Sequence, residues 1–427
     1  MTSERTLRRE VVCPFCGLAC DDLAIERDGE RLRLREGGCG RSREHFERPP
    51  QSAAPRIAGQ PTDLSAAIAR AADLLRGSRL PLFAGLGTDV DGVRAAMRLA
   101  DRLGGVVDHL GADALFRNLR VVQDAGWVVT TLSEVRNHMD LLLVIGPDPS
   151  ADYPRFVERC VRPDRTLYLD KPPERPVIRI GPPSAAEAEG LGAETVLPCA
   201  VDRLPEVTAA LRALVNGGGP AASEIAGIPA DRLRDVAQRL RAARYGVVAW
   251  AAARFDFTAA ELTVQTLAAM VQDLNRTTRC SLLPLTGNDN LIGANQVCLW
   301  QCGSPLRTGF GRGVPAHDPH LLSARRLLDA GEADALVWIS AFRAVTPPAA
   351  SGVPTVVLAT PDTALEPPPE VFIPVGTPGL DHAGQFFRMD TVVSLPLSAL
   401  RESGLPSVAG VLRQIEQAIP AVRSRSE

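Results

Sequence analysis

Residues 140–146 read Asp-Leu-Leu-Leu-Val-Ile-Gly, and two prolines, Pro147 and Pro149, follow this apolar run closely. An unbroken apolar run of this length is typical of a strand buried on both faces of a parallel sheet. Comparable runs alternate along the chain with segments whose apolar residues recur every three or four positions, as in amphipathic helices. The pattern therefore predicts an α/β protein with parallel sheets. The predicted strands are 81–85, 140–146, 166–169, 179–181, 246–251, 282–285, 335–339 and 354–359, and the predicted helices are 64–77, 93–103, 231–243, 259–274 and 319–330.

Length and composition set the domain organisation. A chain of 427 residues is long enough for about two to four domains. A hydrophobic fraction of 45% and a charged fraction of 23% exclude a largely disordered chain. We expect a Cys-rich, iron–sulfur-type lobe and linker at 1–55, α/β domains at 56–200 and 201–365, and a C-terminal segment at 366–427 that packs on them.

The charge balance and the lengths of the apolar runs bear on partners and location. The net charge of −3 gives no general footprint for nucleic acid or an anionic membrane. No run approaches the roughly 20 apolar residues of a membrane-spanning helix. The pair Arg8-Arg9 is followed by Val11-Val12-Cys13-Pro14 and not by the apolar segment of an export signal. We therefore expect a cytoplasmic protein, in which clustered thiols indicate metal before disulfide.

Four of the nine cysteines fall within the first 39 residues, with the spacing Cys-x2-Cys-x3-Cys-x18-Cys. Four thiolates brought together are the usual ligands of a [4Fe–4S] cluster, and glycines beside them let backbone amides approach the sulfurs. Zinc is the main alternative, although structural zinc sites favour two Cys-x2-Cys pairs. Unmetallated thiols in a small packed lobe remain a third interpretation. The candidate metal ligands are Cys13, Cys16, Cys20 and Cys39.

Several further segments follow this head in a fixed order: Gly85-Leu-Gly-Thr-Asp through 95–104, Thr131-Leu-Ser-Glu before 140–149, 293–300 through 312–319, and Arg388-Met-Asp. Together with Cys13-Pro-Phe-Cys16-Gly and Cys20-Asp-Asp, they resemble the B subunit of formylmethanofuran dehydrogenases and its bacterial relative in formyltransferase/hydrolase complexes. Both belong to the molybdopterin oxidoreductase superfamily. The resemblance covers most of residues 10–395 and implies the multidomain molybdopterin-oxidoreductase fold.

The resemblance also implies a cofactor set. Redox members of the family carry one [4Fe–4S] cluster and a tungsten or molybdenum ion on two pyranopterin guanine dinucleotides, with a protein Cys or selenocysteine on the metal. We expect that ligand about a dozen residues before Gly126, yet there is no cysteine between Cys39 and Cys160. His109 lies near this position, where a lone histidine is typically a hydrogen-bonded loop residue. The metal–thiolate centre and its molybdopterin are therefore expected to be absent.

The Gly/Asn-rich stretch 286–319 is the candidate for binding the phosphates and guanine of a pterin dinucleotide, since arginine forks suit diphosphate. The alternative is a structured loop that makes its own backbone hydrogen bonds. Within the stretch, Cys298 and Cys302 are four residues apart and could share one helical face; we expect them to be buried small hydrophobes, and we expect His317 and His320 in a loop. The candidate cofactor-binding residues are Asn288, Asn290, Asn295, Arg307 and Arg312.

The function that this resemblance implies is that of the B subunit in a formyltransferase/hydrolase complex of one-carbon metabolism. Such a complex moves a formyl group from a tetrahydropterin carrier to methanofuran or an analogue and hydrolyses it to formate. The hydrolase and formyltransferase sites lie in the other subunits, so this chain is expected to be a non-catalytic scaffold. The rival hypothesis is an active tungsten- or molybdenum-dependent formylmethanofuran dehydrogenase subunit, an oxidoreductase that Cys13, Cys16, Cys20 and Cys39 would supply with electrons.

Overall fold

The structure is a computed structural model that describes residues 5–183, 190–219, 221–349 and 352–420. The strands, in chain order, are β1 (Thr6–Val11), β2 (Leu23–Asp28), β3 (Arg31–Glu36), β4 (Arg56–Ile57), β5 (Gln60–Pro61), β6 (Pro81–Gly87), β7 (Val106–Val107), β8 (Leu141–Ile145), β9 (Val177–Gly181), β10 (Thr195–Pro198), β11 (Glu224–Ile225), β12 (Ile228–Pro229), β13 (Gly246–Trp250), β14 (Cys280–Pro284), β15 (Thr308–Gly309), β16 (Ala316–His317), β17 (Ala335–Ser340), β18 (Thr355–Ala359), β19 (Val371–Pro374), β20 (Gly384–Phe387) and β21 (Ser394–Leu397). The α-helices are α1 (Gly40–Phe46), α2 (Leu64–Gly77), α3 (Val90–Leu103), α4 (Ala112–Ala125), α5 (Leu132–His138), α6 (Leu204–Val215), α7 (Ala230–Ala242), α8 (Ala260–Leu274), α9 (Leu291–Cys302), α10 (Ala324–Asp329) and α11 (Val408–Ala418).

The chain divides into two compact units, one formed by Met1–Ala112 with Gly287–Glu427 and the other by Asp113–Thr286. The four-domain division at 1–55, 56–200, 201–365 and 366–427 stays a prediction. None of the helices in the described residues is long and apolar enough to cross a membrane.

The first unit contains a nine-stranded sheet in the order β16-β15-β7-β6-β17-β18-β19-β4-β5. Its five central strands, β7 to β19 in that order, are all parallel. The chain adds β7 on one side of β6 and places β17 on the other, so the strand order reverses between β6 and β17. In open α/β sheets, ligands bind outside the carboxyl ends of the strands at such a reversal.

The second unit contains a five-stranded sheet in the order β10-β9-β8-β13-β14, with every neighbouring pair parallel. The run that predicted the fold class forms β8, and all five of its residues are buried. Helices cover the sheet, and Trp250 at the end of β13 is fully buried and donates its indole N–H to Asn118 Oδ1 at 3.0 Å. The predicted α/β class with parallel sheets is therefore confirmed.

Three local predictions differ from the structure. Residues 166–169 form an exposed turn and not a strand, because Thr166 Oγ1 accepts the backbone N–H of Leu169 at 2.9 Å. The helix expected at 319–330 begins only at Ala324, since the Asp318 side chain accepts two backbone N–H groups just before it. The stretch 286–319 contains a full helix, α9, that the apolar pattern did not predict.

Candidate functional site

The first group of candidate residues lies in a small three-stranded antiparallel sheet, β1-β2-β3, together with the loop 12–22 and α1; we call this part the Cys lobe. Cys13, Cys16 and Cys20 lie in the loop between β1 and β2 and are buried. Cys39 is the N-cap of α1 and is half-buried. The Cys13 backbone N–H donates to the Cys20 carbonyl at 2.8 Å, which closes the loop on itself.

The thiols of the Cys lobe lie close enough to affect one another. Burial raises the pKa of Cys13 well above its ordinary value, and the neighbouring thiol of Cys16 raises it further. Burial raises the pKa of Cys16 to about 11, while the backbone N–H of Leu18 and the charge of Arg41 act in the opposite direction. Backbone N–H groups directed at sulfur are the donors that tune cluster thiolates.

Glycine is required where the chain brings Cys39 toward the loop. Gly38 has a φ of +87°, and a Cβ at this residue would lie 2.5 Å from the Leu34 side chain and 2.6 Å from Ser42 Oγ. The turn is fixed from the other side, since the Cys39 backbone N–H donates to Ser42 Oγ at 2.7 Å and Ser42 Oγ donates to the Cys39 carbonyl at 2.9 Å. The donor set therefore has the chemistry for iron–sulfur or zinc binding.

Within the described residues, however, no three His, Cys, Asp or Glu side chains are arranged as a metal-ligand set. Thiols that are buried and protonated pack as small apolar groups, and they must lose their protons before they can bind a metal. The assignment of Cys13, Cys16, Cys20 and Cys39 as metal ligands stays a prediction.

The Cys lobe is attached to two segments that the sequence analysis singled out. The Gly17 backbone N–H donates to Asn288 Oδ1 at 3.1 Å, and the Met389 backbone N–H donates to the Gly17 carbonyl at 2.8 Å. The Cys-containing loop is thus held between the start of the Gly/Asn-rich stretch and the Arg388-Met-Asp triplet.

The second group of residues lies at the carboxyl ends of β6 and β17, where the strand order of the first sheet reverses. We call this region the β6–β17 crevice and define it by 85–89, 108–109, 288–290 and 340–343. The strand ends are irregular, because the pairing shifts register between Trp338 and Ser340. Gly85 has a φ of +79°, and a Cβ there would lie 2.5 Å from the Ile339 carbonyl oxygen. Only glycine permits this close approach of the two backbones.

The centre of the β6–β17 crevice is occupied by an ion pair. The Asp289 carboxylate is buried and accepts three contacts from the Arg343 guanidinium, at 2.8, 3.0 and 2.6 Å. Asp289 has a φ of +54° and its neighbour Asn290 a φ of +58°. Asp and Asn tolerate this left-handed conformation better than most residues do.

His109 is buried beside this ion pair, and both of its ring nitrogens have partners. The Gly111 backbone N–H donates to Nδ1 at 2.9 Å, so Nε2 carries the proton and donates to the Asp289 carbonyl at 3.1 Å. Burial lowers the pKa of His109 to about 4, although the Asp289 carbonyl and carboxylate raise it. A neutral imidazole with both nitrogens bonded to backbone agrees with the expected hydrogen-bonded loop histidine.

The five candidate cofactor-binding residues lie at three places in the structure. Asn288 and Asn290 lie in the crevice loop, where Asn290 Nδ2 donates to the Thr88 carbonyl at 2.9 Å. Asn295 contacts the segment that carries Arg307, because the backbone N–H of Leu306 donates to Asn295 Oδ1 at 3.2 Å. Arg312 is exposed in the loop after β15.

Arg307 is buried and paired with protein groups. Its Nε lies 3.4 Å from both carboxylate oxygens of Asp108, and its Nη1 donates to the Pro319 carbonyl at 2.7 Å. The Pro319 contact lies within the stretch 286–319, whereas Asp108 lies outside it. The role of the five residues in binding a cofactor stays a prediction.

The pairing of Asp289 with Arg343 was not predicted from the sequence. Residues 54 positions apart offer no local signal of an ion pair. The available signal was the Asn-Asp-Asn run at 288–290, a composition that favours left-handed backbone and tight turns.

Comparison with known proteins defines the family. No protein-family model matches the chain. It is 30% identical over 348 residues to the B subunit of the formyltransferase/hydrolase complex Fhc of Methylorubrum extorquens, covering 78% of this chain and 87% of that protein. It is 28% identical over 399 residues to the B subunit of the tungsten-containing formylmethanofuran dehydrogenase 2 of Methanocaldococcus jannaschii, covering 90% of this chain and 92% of that protein.

Solved structures agree. The formyltransferase/hydrolase complex FhcABCD of Methylorubrum extorquens, determined with methylofuran, contains a chain with a TM-score of 0.74 and 30% identity, covering 86% of this chain and 98% of that one. Acetylene hydratase of Pelobacter acetylenicus matches with a TM-score of 0.64 at 11% identity, covering 96% of this chain and 69% of that one, and shows the shared fold. The chain thus belongs to the family formed by the B subunits of formylmethanofuran dehydrogenases and of formyltransferase/hydrolase complexes.

Proposed function

We propose that this chain is the B subunit of a formyltransferase/hydrolase complex, in which it holds the hydrolase and formyltransferase subunits and does not itself carry out redox chemistry. The complex would transfer a formyl group from a tetrahydropterin carrier to a methanofuran-type acceptor and release it as formate. A cytoplasmic location belongs to the same proposal.

The observation that carries this proposal is the state of the β6–β17 crevice. The position where open α/β sheets bind ligands is filled by the Asp289–Arg343 ion pair and by a histidine whose two nitrogens are bonded to backbone. A tungsten or molybdenum centre of this family needs a soft anionic ligand from the protein, and the chain has no cysteine between Cys39 and Cys160. Both facts support a subunit that lacks the metal–thiolate centre and its pterin.

We propose further that the Cys lobe holds a [4Fe–4S] cluster on Cys13, Cys16, Cys20 and Cys39. The grouped thiols, the N–H donors directed at sulfur and the glycine turn before Cys39 support this assignment. When bound, such a cluster would cross-link the loop 12–22 to the start of α1. Its contribution in a subunit without a second redox centre would be structural.

The test is anaerobic purification of the intact complex through a tag on this chain, followed by metal quantification and two assays. We expect formate release from a formylated methanofuran-type carrier, no electron transfer from formate to a viologen dye, and tungsten and molybdenum far below one atom per chain. Stoichiometric tungsten or molybdenum with dye reduction would instead establish the rival oxidoreductase.

The Cys lobe is tested in the same preparation. About four irons per chain are expected, whereas one zinc per chain would replace the cluster by a structural zinc site. A Cys13→Ser and Cys39→Ser double variant should lose this metal, and the matched variant Cys199→Ser, at a buried cysteine of the second unit, should keep it.

A further inference from the structure

The last turn of α9 carries two cysteines whose sulfurs face each other. Cys298 and Cys302 are four residues apart, and their Sγ atoms lie 3.7 Å from one another. Cys298 is buried, with its Sγ 3.3 Å from the Pro305 carbonyl oxygen, whereas Cys302 is half-buried. The inner thiol is therefore packed in the protein and the outer one is accessible.

The two Sγ atoms lie within hydrogen-bonding distance of each other, and the Cys302 Sγ also lies 3.1 Å from the Cys298 carbonyl oxygen. The hydrogen bond from Cys298 lowers the pKa of Cys302 to about 6, and the backbone N–H of Ser304 lowers it as well, while burial acts in the opposite direction. The same interaction raises the pKa of Cys298. An accessible thiolate beside a buried thiol is the arrangement of a nucleophilic and a resolving cysteine.

Cys302 lines a surface pocket of about 330 Å³ between α3, the end of α9 and Phe310. Arg94 and Arg98 of α3 also line this pocket, together with Asp101. The two guanidinium groups can attract an anionic leaving group, while they also pair with Asp91 and Glu416, and the charge of Asp101 raises the pKa of Cys302. The pocket has room for a small oxidant to reach the Cys302 sulfur.

The C-terminal end of α9 permits the movement that would bring the two sulfurs into bonding distance. A disulfide needs the two sulfurs about 2.05 Å apart and the Cβ atoms closer than helix geometry places them. Cys302 is the last residue of α9, and Gly303 follows it in the left-handed conformation with a φ of +75°. Closure therefore requires a change in the final turn only, and a strained bond of this kind is readily reduced again.

We propose that Cys298 and Cys302 form a reversible, hydroperoxide-responsive dithiol. The Cys302 thiolate attacks an oxygen of the hydroperoxide, the O–O bond breaks, and the leaving oxygen takes a proton and departs as an alcohol or as water. Cys302 is then a sulfenic acid. The Cys298 sulfur attacks the Cys302 sulfur, the S–S bond forms, and the hydroxyl group leaves with the Cys298 proton as water. The two sulfurs lose two electrons in total, and the peroxide gains them.

Trp300 can report on the formation of the Cys298–Cys302 disulfide. Trp300 lies between the two cysteines in sequence, is 63% exposed, and packs edge-on against Phe387 with ring centroids 5.5 Å apart. Movement of the last turn of α9 changes this contact. Oxidation should therefore alter the Trp300 fluorescence, and a Trp300→Phe variant identifies that part of the signal.

The test uses the reduced, full-length protein in a Cys280→Ala background, so that the tryptic peptide 280–307 contains only Cys298 and Cys302. After brief exposure to hydrogen peroxide and blocking with a maleimide, this peptide should lack both adducts and weigh less by two hydrogen atoms. Dithiothreitol should restore both thiols. In the native protein at pH 7, Cys302 should react with iodoacetamide at least ~10-fold faster than an ordinary thiol of pKa near 8.5.

Two variants separate the roles of the cysteines. Cys298→Ser should accumulate a sulfenic acid at Cys302 that a 1,3-dione reagent labels, and Cys302→Ser should give neither this label nor the disulfide. The proposal is overturned if Cys302 in the native protein reacts no faster than buried Cys199, or if peroxide drives it to a sulfinic acid without disulfide formation. The native protein decides this even if a variant fails to fold.

Discussion

The Cys lobe and the β6–β17 crevice, both in the first unit, use their reactive side chains in opposite ways. In the lobe, three buried thiols lie in one loop, and backbone N–H groups are directed at the sulfurs of Cys13 and Cys16. In the crevice, the histidine, the carboxylate and the guanidinium are bonded to other groups of the chain. The crevice side chains are thus committed to partners within the fold, and we expect them to stabilise it. Metal binding by the Cys lobe stays part of the proposed function.

The largest expected loss of stability follows from replacing Arg307, which was a candidate for binding a cofactor phosphate. Arg307→Met would leave the Asp108 carboxylate, whose side chain is only 4% exposed, without its guanidinium partner. We expect the free energy of unfolding to fall by about 3–5 kcal/mol, as measured by urea denaturation. A cofactor-binding role alone would leave the stability of the purified chain nearly unchanged.

Arg312→Met is the matched control, because Arg312 lies in the same stretch of sequence but is exposed. We expect its stability to lie within about 0.5 kcal/mol of the unmodified protein. Equal destabilisation by both variants would contradict the distinction between a buried structural arginine and an exposed one.

The second prediction concerns pH and His109. The pKa of an unfolded histidine is near 6.5, and that of His109 in the folded chain is about 4. Between these values the unfolded chain binds more protons, so His109 contributes stability above pH 6.5 that is lost as the pH falls toward 4. The loss approaches ~3 kcal/mol at its limit.

His109→Gln, which retains an N–H donor for the Asp289 carbonyl, should flatten this part of the profile. The measurement is the difference in unfolding free energy between the two proteins at pH 7 and pH 4.5. Parallel profiles would mean that His109 is not held neutral in the crevice.

The third prediction tests the ion pair of the crevice. Arg343→Met should cost about 2 kcal/mol, less than the loss of Arg307, because 49% of the Arg343 side chain is exposed and water can partly replace it at Asp289. Adding Asp289→Asn removes the buried charge and preserves the left-handed backbone. The double variant should recover about half of the lost stability, and strict additivity in the double-mutant cycle would show that the pair does not act together.

Sequence alone predicted those features that leave a local signature. Strands β6, β8, β13 and β17 were predicted because burial on both faces produces an unbroken apolar run. Helix α9 was missed because most of its N-terminal half is buried all around, so no polar face gives a helical period, and Gly293 and Asn295 suggested a loop. The strand predicted at 166–169 was wrong for the converse reason, because Leu167, Tyr168 and Leu169 are apolar yet exposed.

Among the candidate site residues, too, only those with a local signature in the sequence were predicted. Cys13, Cys16 and Cys20 were recognisable from spacing because one loop carries them. The Asp289–Arg343 pair and the contact of Gly17 with Asn288 join residues far apart in sequence, and only the folded chain brings them together. The absence of a cysteine between Cys39 and Cys160 could be read directly, but the way in which the crevice is filled could not.

The smallest expected effect separates stability from metal loading in the Cys lobe. Ser42 exchanges hydrogen bonds with the backbone of Cys39, and Ser407 accepts the Gly410 N–H as the N-cap of α11. Ser42→Ala and Ser407→Ala should each cost about 1 kcal/mol of stability, because Ser42 completes the capping box of α1 at its N3 position and Ser407 is the N-cap of α11.

The two serines differ in what they position. Only Ser42 fixes the turn that brings Cys39 to the other thiols, so only Ser42→Ala should lower the iron content of the anaerobically purified complex and speed its release to a chelator. Ser407→Ala should match the unmodified protein in both measurements. If the two variants lose metal equally, the loss follows from general destabilisation, and the turn at Cys39 would not be what prepares the lobe for its metal.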